Sequence, residues 1–476
     1  MTSDRLEFAA PCLGAATTYH FICQEMTLDS NQLRIADNQY VWHPFTQMSS
    51  YRDEQAPIIV EAEGFYLTDT EDRRYLDGHS SLWCNIHGHR VEAIDRAIRV
   101  QLDRVAHSTL LGLANVPSIE LAAELVSRTP EGLSKVFFSD CGAAGVEVAL
   151  KLAYQYFQQR PNKPQVRDKF VYFDGAYHGD TIGTMSLGSI DRFKNLFSPL
   201  LFPAIWSSVP IATPTQPQQE RQQLEHWSIE LERLLSTHAG EIAGVVIEPL
   251  VQAAAGIRVQ AEGFLSKVRE LTYKYDTLLI ADEIAVGFGR TGTLFACEQE
   301  SVSPDLLILS KGLTGGYLPL AATLVTDELY DAFLGDPWAG KTFYHGHTYT
   351  GNPLACAAAL ASLRLIDEHK VLPNAFRLER ILQEQLAPLE ELPQVKEVRV
   401  KGTMVGIELA NGEQPFVPSQ RVGHRVTLAC RRRGVILRNI ADIIVLMPAP
   451  AMPAELVIEI CQAVRESIAE VIAEGV

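Results

Sequence analysis

Leu278-Leu279-Ile280-Ala281-Asp282-Glu283 and, further on, Leu306-Leu307-Ile308-Leu309-Ser310-Lys311-Gly312 are the two stretches that decide the architecture. Each is a short apolar run that breaks abruptly into polar or glycine residues, the pattern of a strand covered on both faces in a parallel sheet. Three more runs repeat it: Val136-Phe137-Phe138 into Ser139-Asp140-Cys141-Gly142, Phe170-Val171-Tyr172-Phe173 into Asp174-Gly175, and Val245-Val246-Ile247 into Glu248-Pro249. In such sheets ligands gather beyond the carboxyl ends of the strands. All five runs place their chemistry-capable residues there.

Amphipathic segments lie between the runs, at Ser118 to Arg128, Ala144 to Gln159 and Glu262 to Tyr275, with apolar residues at three- and four-residue spacing. They read as crossover helices, so the fold class is α/β. The Pro- and Gln-rich stretch from Pro210 to Gln223 reads as a surface loop. After Pro353 an Ala- and Leu-rich helix runs toward Ile366, and strands at Lys396 to Val400 and Met404 to Leu409 precede a closing helix from Ala454 to Ile472. The expected division is a weakly structured extension over 1–39, part of a small domain over 40–90, a large domain over 91–365 and the rest of the small domain over 366–476.

A formal net charge of −17 argues against a nucleic-acid partner, which needs clustered cations. The one basic cluster, Arg431-Arg432-Arg433, precedes Gly434 and reads as the last turn of a glycine-capped helix. The eight cysteines, at 12, 23, 84, 141, 297, 356, 430 and 461, form no CxxC pair and have no metal-ligand spacing. They suit free thiols in a reducing cytoplasm. No run is long enough to cross a bilayer, and the N-terminus lacks the features of a cleaved leader.

Lys311 after a strand is ordinarily a solvated cation, but Gly312, Gly315 and Gly316 mark a place where backbone passes close to something. A lysine amine forms a Schiff base with an aldehyde cofactor, and an aspartate on a neighbouring strand end can hold the nitrogen of pyridoxal phosphate protonated. Asp282, 29 residues earlier, suits that role, although an acid after a strand is also the usual helix N-cap. Ser139 to Gly145 joins a strand to a helix start, whose amides and dipole suit a phosphate. Tyr177, in Tyr177-His178-Gly179-Asp180, offers a face for a flat ring or is simply a half-buried loop aromatic. Gly287-Phe288-Gly289-Arg290-Thr291-Gly292 spells the dinucleotide fingerprint, yet it does not leave a strand directly and no helix start follows, which argues against a nicotinamide enzyme.

LIADEIAVGFGRTG from Leu279 to Gly292, SKGLTGGYLPLAATL from Ser310 and HGHTYTGNPLACAAA from His345 resemble the class III pyridoxal-phosphate aminotransferases. WHPFTQM (42–48), DGHSSLWCNIHGHR (77–90), HSTLLG (107–112), GAYHGDTIG (175–183) and GVILRNIADIIVLMPAP (434–450) resemble the branch of that family that aminates 8-amino-7-oxononanoate in biotin biosynthesis. The resemblance runs from about Tyr40 to the C-terminus. It implies a fold-type I transferase, a cytoplasmic homodimer and a transamination at pyridoxal 5'-phosphate. Lys311 is then the Schiff-base lysine, Asp282 the partner of the ring nitrogen and Tyr177 the stacking aromatic, with Asp180 nearby. Gly142 and Ala143 donate amides to the phosphate, which Thr348, with His347 beside it, reaches from the partner subunit. Phe45, Leu82, Trp83 and Gly346 line the substrate pocket, and Arg438 holds the carboxylate of the substrate.

Ala143 replaces a serine frequent in the family, so a hydroxyl contact is lost while the amide survives. The donor is S-adenosylmethionine or L-lysine. Leu82 and Phe45, where users of S-adenosylmethionine carry tryptophan and tyrosine, lean toward lysine. The alternatives are another ω-aminotransferase, of the 4-aminobutyrate or ornithine type, and a catalytically silent cofactor-binding protein.

Overall fold

The largest sheet has seven strands, in the spatial order Leu133–Ser139, Ala321–Thr326, Leu306–Leu309, Leu278–Asp282, Ile242–Ile247, Lys169–Phe173 and Ile205–Ser207. Ala321–Thr326 pairs antiparallel with both neighbours and the other pairings are parallel. The structure is a computed structural model that describes residues 29–160, 165–212 and 216–476. Leu306–Leu309 and Leu278–Asp282 are buried at every position, as continuous apolar runs covered on both faces require. Ile280 pairs with Leu306 and Asp282 with Ile308, so the ends of these two strands, and hence Asp282 and Lys311, emerge at the same rim.

The expected crossover helices are present as Val116–Arg128, Gly142–Gln159 and Phe264–Lys274. The second lies close on the sheet, because a Cβ on Gly145 would stand 2.9 Å from Ile308 Cγ2, and Thr323 Oγ1 donates to Gly145 O at 3.0 Å. A second sheet, Val395–Lys401, Met404–Leu409, Ile443–Leu446 and Arg438–Ile440, is antiparallel throughout. Helices Val371–Leu386, Val422–Arg432 and Ala454–Ala473 share a core with it. The Arg431 to Arg433 cluster ends its helix ahead of Gly434 at φ +77°, as the cap reading expects. Arg74–Asp77 runs parallel to Val435–Ile436, with Leu76 opposite Val435 and Asp77 opposite Ile436.

Two expectations are corrected. The extension over 1–39 is helical at its end: Ser30–Tyr40 is an α-helix, started by an Asp29 capping box with Gln32. Asp37 fixes it by accepting from Tyr51 Oη at 2.8 Å and contacting His43 Nε2 at 2.8 Å. Residues 1–28 of that expectation lie outside the described residues. The loop expected from Pro210 to Gln223 ends early, because Pro217 opens the helix Pro217–Thr237. Trp227, Leu231 and Leu235 bury one stripe of it at a four-residue interval. Residues 213–215 are likewise outside the described set.

By internal contacts the chain forms two compact units, one reaching Val60 and including Asp69–Asp72, the other Glu61–Thr68 with Arg73–Val476. The expected boundaries at 90 and 365 do not separate compact units, since both sheets and their helices lie in the second.

Candidate active site

At the rim where the parallel strands end, a cavity of about 640 Å³ is lined by, among others, Trp83, Gly142, Ala143, Tyr177, Asp282 and Lys311. Lys311 opens a 3₁₀ turn after its strand at φ +43°, and Gly315 and Gly316 follow at φ +65° and +88°. A Cβ on Gly316 would meet Asn85 backbone at 3.1 Å, the close approach foreseen for this glycine-rich segment. The Lys311 ammonium lies 5.1 Å from the centroid of the Trp83 ring. Burial pulls its pKa below the ordinary lysine value, against the attraction of Asp282 and Glu248.

Asp282 is almost wholly enclosed. Its Oδ1 accepts from Ile284 N at 3.0 Å and its Oδ2 contacts His178 Nδ1 at 2.7 Å. Burial opposes a charge on His178, yet the bond to Asp282 together with the attraction of the Asp282 and Glu248 carboxylates outweighs it and the imidazole pKa is raised. His178 Nε2 is buried without a partner among the described residues. Glu248 lies beside this pair, accepting from Tyr177 N at 3.2 Å and Ala253 N at 3.1 Å, and burial pushes its carboxyl up to about 7. Tyr177 Oη donates to Asp180 at 2.8 Å, and burial together with that carboxylate raises the phenol well above its usual range.

The helix Gly142–Gln159 enters the cavity by its N-terminus, and its N-cap Cys141 makes no side-chain cap. As at any helix start, the first-turn amides have no carbonyl acceptor within the helix, and with the helix dipole they form a seat for a phosphate. A lysine amine, a fixed carboxylate, an aromatic side chain and this seat around one cavity are the donor set that pyridoxal phosphate requires, so the residues present fit that cofactor.

Trp83 reaches the cavity from a backbone of unusual shape. Ser80, Ser81, Leu82 and Trp83 have φ of +52°, +46°, +71° and +72°. Trp83 N donates to His79 O at 2.9 Å and Cys84 N to Ser80 O at 3.0 Å, which closes one left-handed helical turn. That hand costs L-residues about 1–2 kcal/mol each. Leu82, beside Trp83, is 45% exposed and does not line the cavity.

Arg438 begins the strand Arg438–Ile440, partly buried, and burial lowers its pKa against the pull of the neighbouring Tyr177 phenol. It is within electrostatic reach of Tyr177 without lining the cavity. Gly346 and Thr348 are exposed and His347 is partly buried; none of the three lines the cavity of its own chain. Phe45 belongs to the other compact unit, where it is 58% exposed at φ +53°.

His178 and Glu248 received no role from the sequence. Glu248 had a usable signal, since it ends an apolar run in the same way as Asp282, whereas the His178 to Asp282 contact joins residues 104 apart and leaves no local trace.

Among the described residues no helix is long and apolar enough to cross a membrane, and no cluster of histidine, cysteine or acidic residues is arranged to hold a metal. The profile of the family described as aminotransferase class-III matches residues 48–468. The chain is 52% identical over 423 residues to the adenosylmethionine-8-amino-7-oxononanoate aminotransferase of Nitratidesulfovibrio vulgaris, covering 88% of this chain and 78% of that one. It is 48% identical to the protein of the same name from Geobacter sulfurreducens, over 90% of this chain and 95% of that one. The crystal structure of the Methanocaldococcus jannaschii protein of that name superposes with a TM-score of 0.88 at 42% identity, over 93% of this chain and 99% of that one. An (S)-enantioselective omega-transaminase from Thermomicrobium roseum gives 0.87 at 33%, over 94% and 99%. This chain belongs to the class III aminotransferases.

Proposed function

We propose that this chain is a pyridoxal-phosphate enzyme that aminates 8-amino-7-oxononanoate to 7,8-diaminononanoate in biotin biosynthesis. The observation that carries the chemistry is the Lys311 amine, 5.1 Å from the Trp83 ring centroid, in one cavity with Asp282 and the N-terminus of the helix Gly142–Gln159. The choice of substrate rests on the relatives that share the family and 40–52% identity with this chain.

When bound, pyridoxal phosphate supplies an aldehyde that condenses with amines and a protonated ring that draws electrons from the neighbouring carbon. Lys311 holds the cofactor and then carries a proton at Nζ, for which its lowered pKa makes the neutral amine available at modest cost. Asp282 presents a carboxylate oriented by His178 and Ile284 N. Gly142 and Ala143 would give amides to the phosphate, and Tyr177, its hydroxyl fixed by Asp180, would offer its face to the ring. Trp83 excludes water on the substrate side, and the Arg438 guanidinium takes the far carboxylate in a bidentate pair that fixes the length of the substrate.

The enzyme works as a homodimer in which Thr348 and His347 complete the phosphate site of the partner, with Gly346 at the substrate edge. Tyr349, next to Thr348, is 61% exposed and packs on His107 at 4.8 Å between ring centroids, and Leu111, Leu113 and Val116, which follow His107 in the chain, are also more than 60% exposed, apolar surface of the kind that seats a second copy. Its place is the cytoplasm, a reading supported by six free thiols among the described residues. The donor is S-adenosylmethionine, which the names of the relatives favour over the lysine suggested by Leu82 and Phe45.

Mixing the loaded enzyme with S-adenosylmethionine alone, then with L-lysine alone, decides the donor by which one bleaches the visible absorbance of the cofactor. Steady-state assays against 8-amino-7-oxononanoate and short aldehydes decide the acceptor. Rapid turnover of the aldehydes with none of the oxononanoate overturns the proposed substrate in favour of a general ω-aminotransferase.

A further inference from the structure

The left-handed turn that carries Trp83 has a dedicated clamp. Asp77, buried at the end of the strand Arg74–Asp77, accepts from Ser81 N at 3.0 Å through Oδ1 and from Ser81 Oγ at 2.8 Å through Oδ2. His89 Nε2 contacts Oδ2 at 3.0 Å and His79 Nδ1 stands 3.3 Å from Oδ1. Burial opposes the charge, but the two histidines and Ser81 hold the Asp77 carboxyl far below the usual range. His89 Nδ1 in turn meets Asn85 Nδ2 at 3.3 Å, beyond the far end of the turn.

A second anchor comes from the glycine fingerprint. Arg290, fully buried, donates to Asn85 O at 2.7 Å and to Pro448 O at 2.9 Å, while Ser80 Oγ donates to Met447 O at 2.7 Å. Both ends of a four-residue segment that L-residues disfavour are thus tied to rigid neighbours. Asp77 is also paired with Ile436, two residues before Arg438, so the strand that ends in the clamp runs beside the segment leading to Arg438. Trp83 is 7% exposed and its indole Nε1 is buried without an acceptor among the described residues. The cost of the turn goes into aiming that ring and its unspent donor, and a relaxed turn would lose the aim.

We propose that Asp77 is a positioning residue for substrate selection: its carboxylate, bridged to His89, holds the left-handed turn 80–83 so that Trp83 lies against the Lys311 amine. The inference rests on the proposed amination reaction for its kinetic test and on the fold alone for its physical test. In the cofactor-free chain, Asp77→Asn should speed amide exchange at 81–85 roughly 10-fold and leave the strand Leu278–Asp282 unchanged, because the turn opens locally. In the loaded enzyme the KM for 8-amino-7-oxononanoate should rise about 10-fold with kcat held within about 3-fold, the signature of a misplaced binding group.

Ser81→Gly separates clamping from general damage, because glycine adopts the left-handed region without strain and keeps the amide donor. Added to Asp77→Asn, it should reverse most of the rise in KM. Where Asp77→Asn does not fold, His89→Gln removes one brace and should raise the KM about 3-fold, with faster exchange at 81–85. Unchanged exchange and KM in a folded Asp77→Asn or His89→Gln enzyme, or no rescue by glycine, overturns the proposal. A wild-type enzyme that never aminates the oxononanoate rejects the proposed function instead and leaves the exchange test of the clamp standing.

Discussion

Glu283 follows Asp282 directly and is fully buried, its Oε2 accepting from Ala296 N at 2.7 Å and its Oε1 from Cys297 N at 2.8 Å. Burial pushes its carboxyl from 4.5 up to about 7, because two amides do not replace the hydration of a carboxylate. The folded chain therefore keeps a proton that the unfolded chain releases. Stability from this group is complete below pH 4.5 and is lost as pH rises through 7. With about 1.36 kcal/mol per pH unit, the loss amounts to roughly 0.8 kcal/mol at pH 5 and roughly 3.3 kcal/mol at pH 8. Glu283→Gln removes this dependence but opposes an NH₂ to one of the amides, a cost of about 1–3 kcal/mol at every pH. The variant should accordingly be no more stable than wild type at pH 5, and should gain about 2.5 kcal/mol relative to wild type between pH 5 and pH 8. At about 2.1 cal/mol/K per residue over 476 residues, that gain corresponds to a relative Tm shift of roughly 2–3 °C. Thermal unfolding of both cofactor-free proteins at the two pH values measures it. A Tm difference that stays constant with pH would falsify the assignment of Glu283 as a buried carboxyl that protonates near neutrality.

Three further outcomes are expected. Lys311→Ala should lower kcat at least ~10³-fold and shift the cofactor absorbance to that of the free aldehyde; appreciable turnover removes Lys311 from the chemistry. Arg438→Lys keeps the charge but loses the fork and should raise the KM for 8-amino-7-oxononanoate about 10-fold, with Arg438→Met nearer 100-fold, whereas an unchanged KM in Arg438→Lys would point to charge alone. Gly145→Val places a branched side chain where Ile308 Cγ2 is 2.9 Å from the Cβ position, so about 1–3 kcal/mol of stability should be lost in urea unfolding together with weaker cofactor uptake. An unchanged midpoint would mean that the helix Gly142–Gln159 slides freely on its sheet.

The parts of the molecule legible in the sequence were those whose cause is local. Leu278 to Ala281 and Leu306 to Leu309 announce buried strands because no polar residue interrupts them, and abrupt endings on Asp282 and Lys311 put the chemistry at the rim. Ser30–Tyr40 escaped for the opposite reason: it has no fully buried residue, so its capping box is nearly its whole signal. Pro217 misled in the same way, since proline reads as a loop residue until the buried stripe of Trp227, Leu231 and Leu235 shows that it stands at a helix start.

Nonlocal causes left weaker marks. The Gly287 to Gly292 segment reads like a dinucleotide fingerprint, and nothing near it in the sequence shows what its arginine is for. Arg290 answers to Asn85 O and Pro448 O, 205 and 158 residues away in the chain, and burial, only partly offset by the pull of Cys84 and the Asp77 carboxylate, lowers its pKa to about 10. The guanidinium donates there to three carbonyl oxygens, with Met447 O the third at 3.4 Å, and these bonds offset part of the cost of burying the cation. The same reasoning separates Asp77 from Asp282, both enclosed aspartates at strand ends with a histidine contact. Asp282 faces the cavity and Asp77 faces backbone, so only the first is placed to touch a ligand, while the second acts through the shape of the chain that carries Trp83.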